Sequence, residues 1–158
     1  MAITLDLTDR KILSLLQSNG RMSNAELAAQ VHRSESACHR RVRRLEAEGV
    51  IEGYVAVLNP AALDRPISFF VEVTLSHHGE GNLAEFEAAV HDCREVIACH
   101  FMTGDADYLL HVLAASTEDY ERIYKTHLSR LPSVGRIRSS LALRRVLKRL
   151  VHTTVGTD

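Results

Sequence analysis

The sequence predicts an α+β protein in two unlike halves, a group of helices first and then strands alternating with helices. Residues 5–49 repeat apolar side chains at helical spacing between residues suited to helix caps. Residues 67–143 hold four runs rich in β-branched and aromatic residues, separated by helix-like runs. Charge is segregated as well: eight Lys and Arg against seven Asp and Glu in residues 1–60, five against twelve in 61–133, and six against one in 134–158. The net charge of −1 is therefore a poor guide to what either half binds, and local clustering is the better one.

The first helix follows from Leu7, Ile12, Leu15 and Leu16, with Asp6 and Asp9 suited to its positive end and Asn19-Gly20 ending it. Ser23, three residues before Glu26, makes a capping box for a second helix from about Asn24 to Val31, with Leu27, Ala28 and Val31 as its apolar stripe. Ser34 can cap a third helix that Gly49 stops. At about 100° per residue, Cys38, Val42 and Leu45 of that helix fall on one side. Ser36, Arg40, Arg43 and Ala47 fall opposite, flanked by His39 and Arg44. One face packs, and the other presents planar guanidinium forks that can read guanine or neutralise phosphate.

This is the pattern of a helix-turn-helix that enters the major groove, with Ser34, Ser36, His39, Arg40, Arg43 and Arg44 as the expected DNA-contacting set. Arg41 lies nearer the packed side, where a phosphate contact or an internal ion pair suits it better than base reading. Residues 50–58, rich in β-branched and apolar side chains and stopped by Asn59-Pro60, read as a strand leaving the module.

In the second half the expected strands are Ile67 to Leu75, Val96 to Met102, Tyr108 to Ala114 and about Arg136 to Leu143. The expected helices are about Leu83 to His91, led by Asn82, and Thr117 to Leu131, led by Ser116. Their order is βαββαβ, the ferredoxin-like arrangement. The expected division is a winged helix-turn-helix with its linker strand in residues 1–60, a ferredoxin-like domain in 61–150 and a tail in 151–158.

Several function classes lose support. No apolar run is long enough to cross a bilayer, and the N-terminus lacks the pattern of a signal peptide, so no membrane partner and a cytoplasmic location are expected. Cys38, Cys93 and Cys99 match no disulfide framework and read as reduced thiols. The nine histidines include no HxxxH, HExxH or Cys/His finger spacing, so no metal site is expected. GxSxG, P-loop and GxGxxG motifs are absent, and no catalytic residues or resident cofactors are assigned.

The whole chain resembles the leucine-responsive/AsnC, or feast/famine, family of bacterial and archaeal regulators. The likeness rests on Leu5-Asp6 through Ile12-Leu13, Gly20 to Asn24 with Glu26-Leu27, Ser34 followed by Cys38, and Arg41 to Glu46 with Gly49 and Ile51. It continues with Tyr54, Asn59-Pro60, Cys99-His100, Gly104 to Leu110, and Leu131-Pro132 with Val134. The resemblance implies a DNA-binding domain joined to an amino-acid-sensing and oligomerisation (RAM) domain, in homodimers that assemble to octamers, with the effector near the Gly-Asp turn between dimers.

The residues around that turn have suitable chemistry. Asp105 or Asp107 can pair with an amino acid's ammonium, while the N–H groups around Gly104 and the hydroxyls of Thr103, Ser139 and Ser140 can take its carboxylate. Turn stabilisation is the simpler role for Asp107. Ala106 and Ser139-Ser140 are smaller than the residues common in the family, and the space at Ala106 favours a larger apolar or aromatic amino acid. Two alternatives remain beside the effector-responsive regulator. One is an architectural DNA-binding protein without an effector. The other is a sirohaem-decarboxylase-like enzyme using histidines such as His100 and His111.

Overall fold

The structure, a computed structural model, describes residues 4–147, which divide into two compact units at Ala56/Val57. The expected tail, 151–158, lies outside the described residues.

The first unit has three helices, α1 (Leu7–Ser18), α2 (Asn24–Val31) and α3 (Glu35–Ala47). Each begins at a side-chain cap. Asp6 and Asp9 form a reciprocal capping box on α1, as Ser23 and Glu26 do on α2, and the Ser34 hydroxyl accepts from the Ala37 N–H on α3. The turn between α2 and α3 closes through His32 in the left-handed region at φ 53°, a place that sequence reading would reserve for glycine or asparagine. Gly49, at φ 70°, ends α3 as expected. Ile12, Leu13, Leu27, Ala28, Val31, Cys38 and Leu45 form the core.

Residues 50–58 form no strand, contrary to the sequence reading. Their β-branched side chains have no neighbouring strand among the described residues to pair with, and an extended segment without a ladder leaves its backbone to water. Val55 is 87% exposed.

The second unit carries β1 (Ile67–Leu75), α4 (Glu80–His91), β2 (Val96–Phe101), β3 (Tyr108–Ala114), α5 (Thr117–Thr126) and β4 (Val134–Ala142). The sheet order is β2-β3-β1-β4, antiparallel throughout, as the βαββαβ pattern requires. Odd-numbered residues of β1 and even-numbered residues of β3 meet α4 and α5 in a core that includes Phe69, Val71, Phe86, Tyr108, Leu110, Tyr120 and Ile123. Two helix boundaries differ from expectation. α4 is N-capped by Gly79, whose carbonyl accepts the Leu83 N–H and which offers no side-chain cap, so Asn82 lies inside the helix. α5 stops at Thr126, followed by a short 3-10 turn over Leu128–Arg130 that buries Leu128.

Candidate nucleic-acid interface and effector turn

The sequence of α3 gives it two chemically distinct sides, and the structure adds a third. Cys38 and Leu45 are fully buried, while Ser34, Ser36, His39, Arg40 and Arg43 are exposed, with Ser34 and Ser36 hydroxyls 3.3 Å apart. The Asn24 side chain donates to the Glu35 carbonyl at 2.8 Å and ties the start of α2 to that of α3. Arg40 makes no ion pair among the described residues, and Arg43 has a loose one to Glu46 at 3.6 Å. His39 sits at the edge of this face, beside a small cleft that also involves Val42 and Tyr54. The Tyr54 hydroxyl donates to Glu46 at 3.2 Å, and burial together with that carboxylate raises its pKa.

The third side faces α1. Asp9 is 1% exposed, and its carboxylate accepts from Arg41 Nη1 at 2.8 Å and from Arg44 Nη2 at 2.6 Å. Arg41 Nη1 also reaches Asp6 at 2.7 Å. Of the two roles expected of Arg41, a phosphate contact or an internal ion pair, the structure shows the ion pair. Arg44, grouped by sequence with the DNA-facing set, has its guanidinium turned to Asp9. The Asp9 backbone N–H, followed by Arg41, holds the Asp6 carboxyl below the usual range, and the two carboxylates raise Arg41 further. From sequence alone these aspartates read only as residues of the helix terminus. Their guanidinium partners lie 32 to 35 residues downstream, beyond the reach of local periodicity.

In the second unit Thr103, Gly104 and Asp105 are exposed in the turn between β2 and β3. Gly104 has φ 118°, which an L side chain adopts only with strain. Asp107 stabilises the turn: it accepts the Leu75 N–H at 2.7 Å and lies 3.1 Å from His78 Nε2. Among the described residues the Asp105 side chain has no such hydrogen bond, and its carbonyl accepts from the Thr74 hydroxyl.

Ser139 and Ser140 do not join this turn within one chain. They are opposite Val71 and Phe70 on β4, two strands from β3 and at least three residues along the sheet, about 10 Å in each direction. Their side chains point to opposite faces. Ser139 lies toward the helices, where it hydrogen-bonds the Tyr120 hydroxyl, and Ser140 lies on the other face.

The face of the sheet away from α4 and α5 carries Phe70, 41% exposed and stacked on His111 at 4.7 Å, together with Leu109, His100 and Arg138. Burial, and then Arg145, lowers the His111 pKa. Among the described residues no three His, Cys, Asp or Glu side chains gather as a metal site, and no helix is long and apolar enough to span a membrane.

A capped helix pair presenting arginines, joined to a βαββαβ unit, defines a helix-turn-helix DNA-binding protein with an attached ferredoxin-like domain. Residues 5–52 match the winged helix-turn-helix DNA-binding profile, and residues 68–151 match the Lrp/AsnC ligand binding domain. The leucine-responsive regulatory protein of Haemophilus influenzae is 42% identical over 142 residues, covering 90% of this chain and 86% of its own. That of Escherichia coli is 41% identical over the same length, covering 90% and 87%. A transcriptional regulator of Neisseria meningitidis, solved with L-methionine, has a TM-score of 0.87 at 33% identity over 92% of this chain and 94% of that one.

The chain belongs to the Lrp/AsnC family of transcriptional regulators. It is a DNA-binding regulator with an Lrp/AsnC ligand-binding domain, and the family is one of regulators rather than enzymes, which removes the decarboxylase alternative.

Proposed function

We propose that this regulator reads DNA through Ser34, Ser36, His39, Arg40 and Arg43 and responds to an amino acid bound at the Thr103–Asp107 turn. The observation that carries the reading is the exposure of Arg40 and Arg43 on the side of α3 opposite buried Cys38 and Leu45. Both guanidinium groups can reach a groove without uncovering the core. Paired copies would hold two α3 helices about one DNA turn apart, or a multiple of it, on a pseudo-palindromic site.

At the turn, exposed Asp105 is the better partner for a ligand ammonium. Asp107 holds the backbone that surrounds it, and Thr103 with the N–H groups around Gly104 takes the carboxylate. Ser139 and Ser140 would contribute only from another copy, since their own strand is too distant. Ala106 leaves room for a large apolar side chain, and the Neisseria relative was solved with L-methionine. Leucine and methionine are therefore the first candidates.

We further propose a cytoplasmic homodimer that assembles to an octamer. Exposed Tyr54, Val55, Val57 and Leu58, and Phe70 on the uncovered sheet face, are apolar surface that a second copy would cover.

The experiment is a DNA-binding titration on the gene's own upstream region with and without each common amino acid, alongside calorimetry of the wild type and Asp105→Asn. Retarded DNA and a response to a large apolar amino acid, lost in Asp105→Asn, are expected. DNA binding with no heat from any amino acid favours an architectural role. Equal affinity in Asp105→Asn removes that carboxylate from the site.

A further inference from the structure

The contact between α1 and α3 has the form of a square. Asp6 and Asp9 are one helical turn apart on α1, Arg41 and Arg44 are one turn apart on α3, and the three links among them are 2.6 to 2.8 Å long. Asp9 is at its centre. Its Oδ1 accepts from Arg41, while its Oδ2 accepts from Arg44 and, at 3.1 Å, from the Asp6 backbone N–H. At 1% exposure this carboxylate has almost no water to compensate it if the arginines leave.

Asp6 and Asp9 face two guanidinium groups there, and Arg44 Nε also lies 3.9 Å from Glu48 on its own helix. Arg40 lines the same surface hollow, of about 290 Å³, and adds a further positive charge beside Asp6, Arg41 and Arg44. Rotating α3 about its axis by one residue, about 100°, would separate both arginines from Asp9. The links therefore fix which side of α3 faces outward.

We propose that Asp9 is a positioning residue for DNA recognition, locking Arg41 and Arg44 against α1 and withholding them from phosphates, so that Arg40 and Arg43 carry the positive charge α3 delivers to DNA. The inference rests on the reading of α3 as the DNA-binding helix. It changes the expected count of phosphate contacts: four arginines stand on the helix, and two of them bind DNA. Withdrawing Arg44 to a phosphate would leave a buried carboxylate short of its partner, which one solvent-exposed phosphate contact does not repay.

The test is the salt dependence of binding by the full-length protein to a fluorescent mixed-sequence 40-base-pair duplex between 50 and 200 mM salt. Each phosphate contact contributes a slope of about 0.9 in log Kd against log salt, roughly 3.5-fold in affinity over that range. Arg40→Gln should flatten the slope by about 0.9 per bound protomer. Arg44→Gln, which leaves Arg41 on Asp9 and so keeps the fold, should leave the slope unchanged. Asp9→Asn, checked for folding by circular dichroism, should steepen it by up to about 0.9 for each arginine released.

An Arg44→Gln slope as flat as that of Arg40→Gln would overturn the proposal. So would an Asp9→Asn protein that melts earlier but keeps the wild-type slope, since Asp9 would then be structural only. Unchanged slopes in Arg40→Gln, Arg43→Gln and Arg44→Gln together would instead remove α3 from the DNA interface.

Discussion

The two units of this chain are held together by different means. The helical unit buries seven core residues, and its helices are joined as much by polar links as by that small core: two capping boxes, the Asn24 bridge and the Asp9 square. Among the described residues the core cluster of the sheet unit holds fourteen, eight of them set by strict alternation along β1 and β3 and the rest supplied by α4, α5 and the segment after it. A small core tolerates rotation and sliding of its helices, so a unit that must present one face of one helix gains definition from directional contacts. A sheet sets the facing of every side chain by its period of two. It can therefore leave the polar chemistry to the turn at its rim, where Gly104 and Asp105 stand.

The largest effect should come from the core of the sheet unit. Phe86→Ala removes a fully buried ring that packs on Tyr108 at 4.5 Å, and should cost about 3–5 kcal/mol by urea unfolding. Amide exchange should place the loss in the second unit while α1 to α3 stay protected. Equal loss in both units would mean that they do not fold separately.

In the helical unit, Arg41→Gln, Arg44→Gln strips both guanidinium groups from buried Asp9. Because the arginines are partly exposed, the cost should lie near the lower end for a broken buried pair, about 3 kcal/mol. It should appear as lost protection in α1 and α3. A change below about 0.5 kcal/mol would show that the apolar core suffices on its own.

A smaller effect is expected at Ser23. Ser23→Ala removes the acceptor for the Glu26 N–H and half of the α2 capping box, at about 1 kcal/mol in the same unfolding assay. No loss would show that this cap is redundant with the packing of Leu27.

Acid should separate the units as well. His111 has its pKa lowered by burial, so the unfolded chain takes the proton first. The stability His111 supports falls once the pH drops below the unfolded value of about 6.5. Asp6 and Glu26 in the helical unit have lowered pKa values from backbone N–H donors, those of Asp9 and Ser23. Their contribution is full above the unfolded carboxyl values of about 4 and is lost as the pH falls through the lower folded values. Between pH 7 and 5, amide exchange corrected for intrinsic rates should show the sheet unit weakening first, and His111→Phe should remove that difference. Earlier weakening of the helical unit would contradict it.

Much of both units was legible in local patterns. β1, β3 and α2 have the bounds that alternation, helical spacing and the Ser23–Glu26 box indicate, and the exposed set on α3 follows from its 3.6-residue period. What escaped depends on distance or on a missing partner. The Asp9 square joins residues more than thirty positions apart. Residues 50–58 have strand-forming side chains but no strand to pair with. Asn82 resembles a cap, yet backbone winding starts one turn earlier at Gly79. The splaying of Ser139 and Ser140 to opposite faces was available from the strand period, but reading them as one polar pair ignored it.

Delivery of Arg40 and Arg43 to DNA by α3 is tested most directly by the affinity of Arg40→Ala, Arg43→Ala for the upstream region as a function of salt, with oligomeric state checked by light scattering. Each arginine that reads a base should contribute about 1–3 kcal/mol, so the double variant should bind at least about thirtyfold more weakly, with a flatter salt slope and an unchanged assembly. Wild-type affinity and wild-type salt dependence in an intact double variant would mean that this face of α3 does not meet DNA.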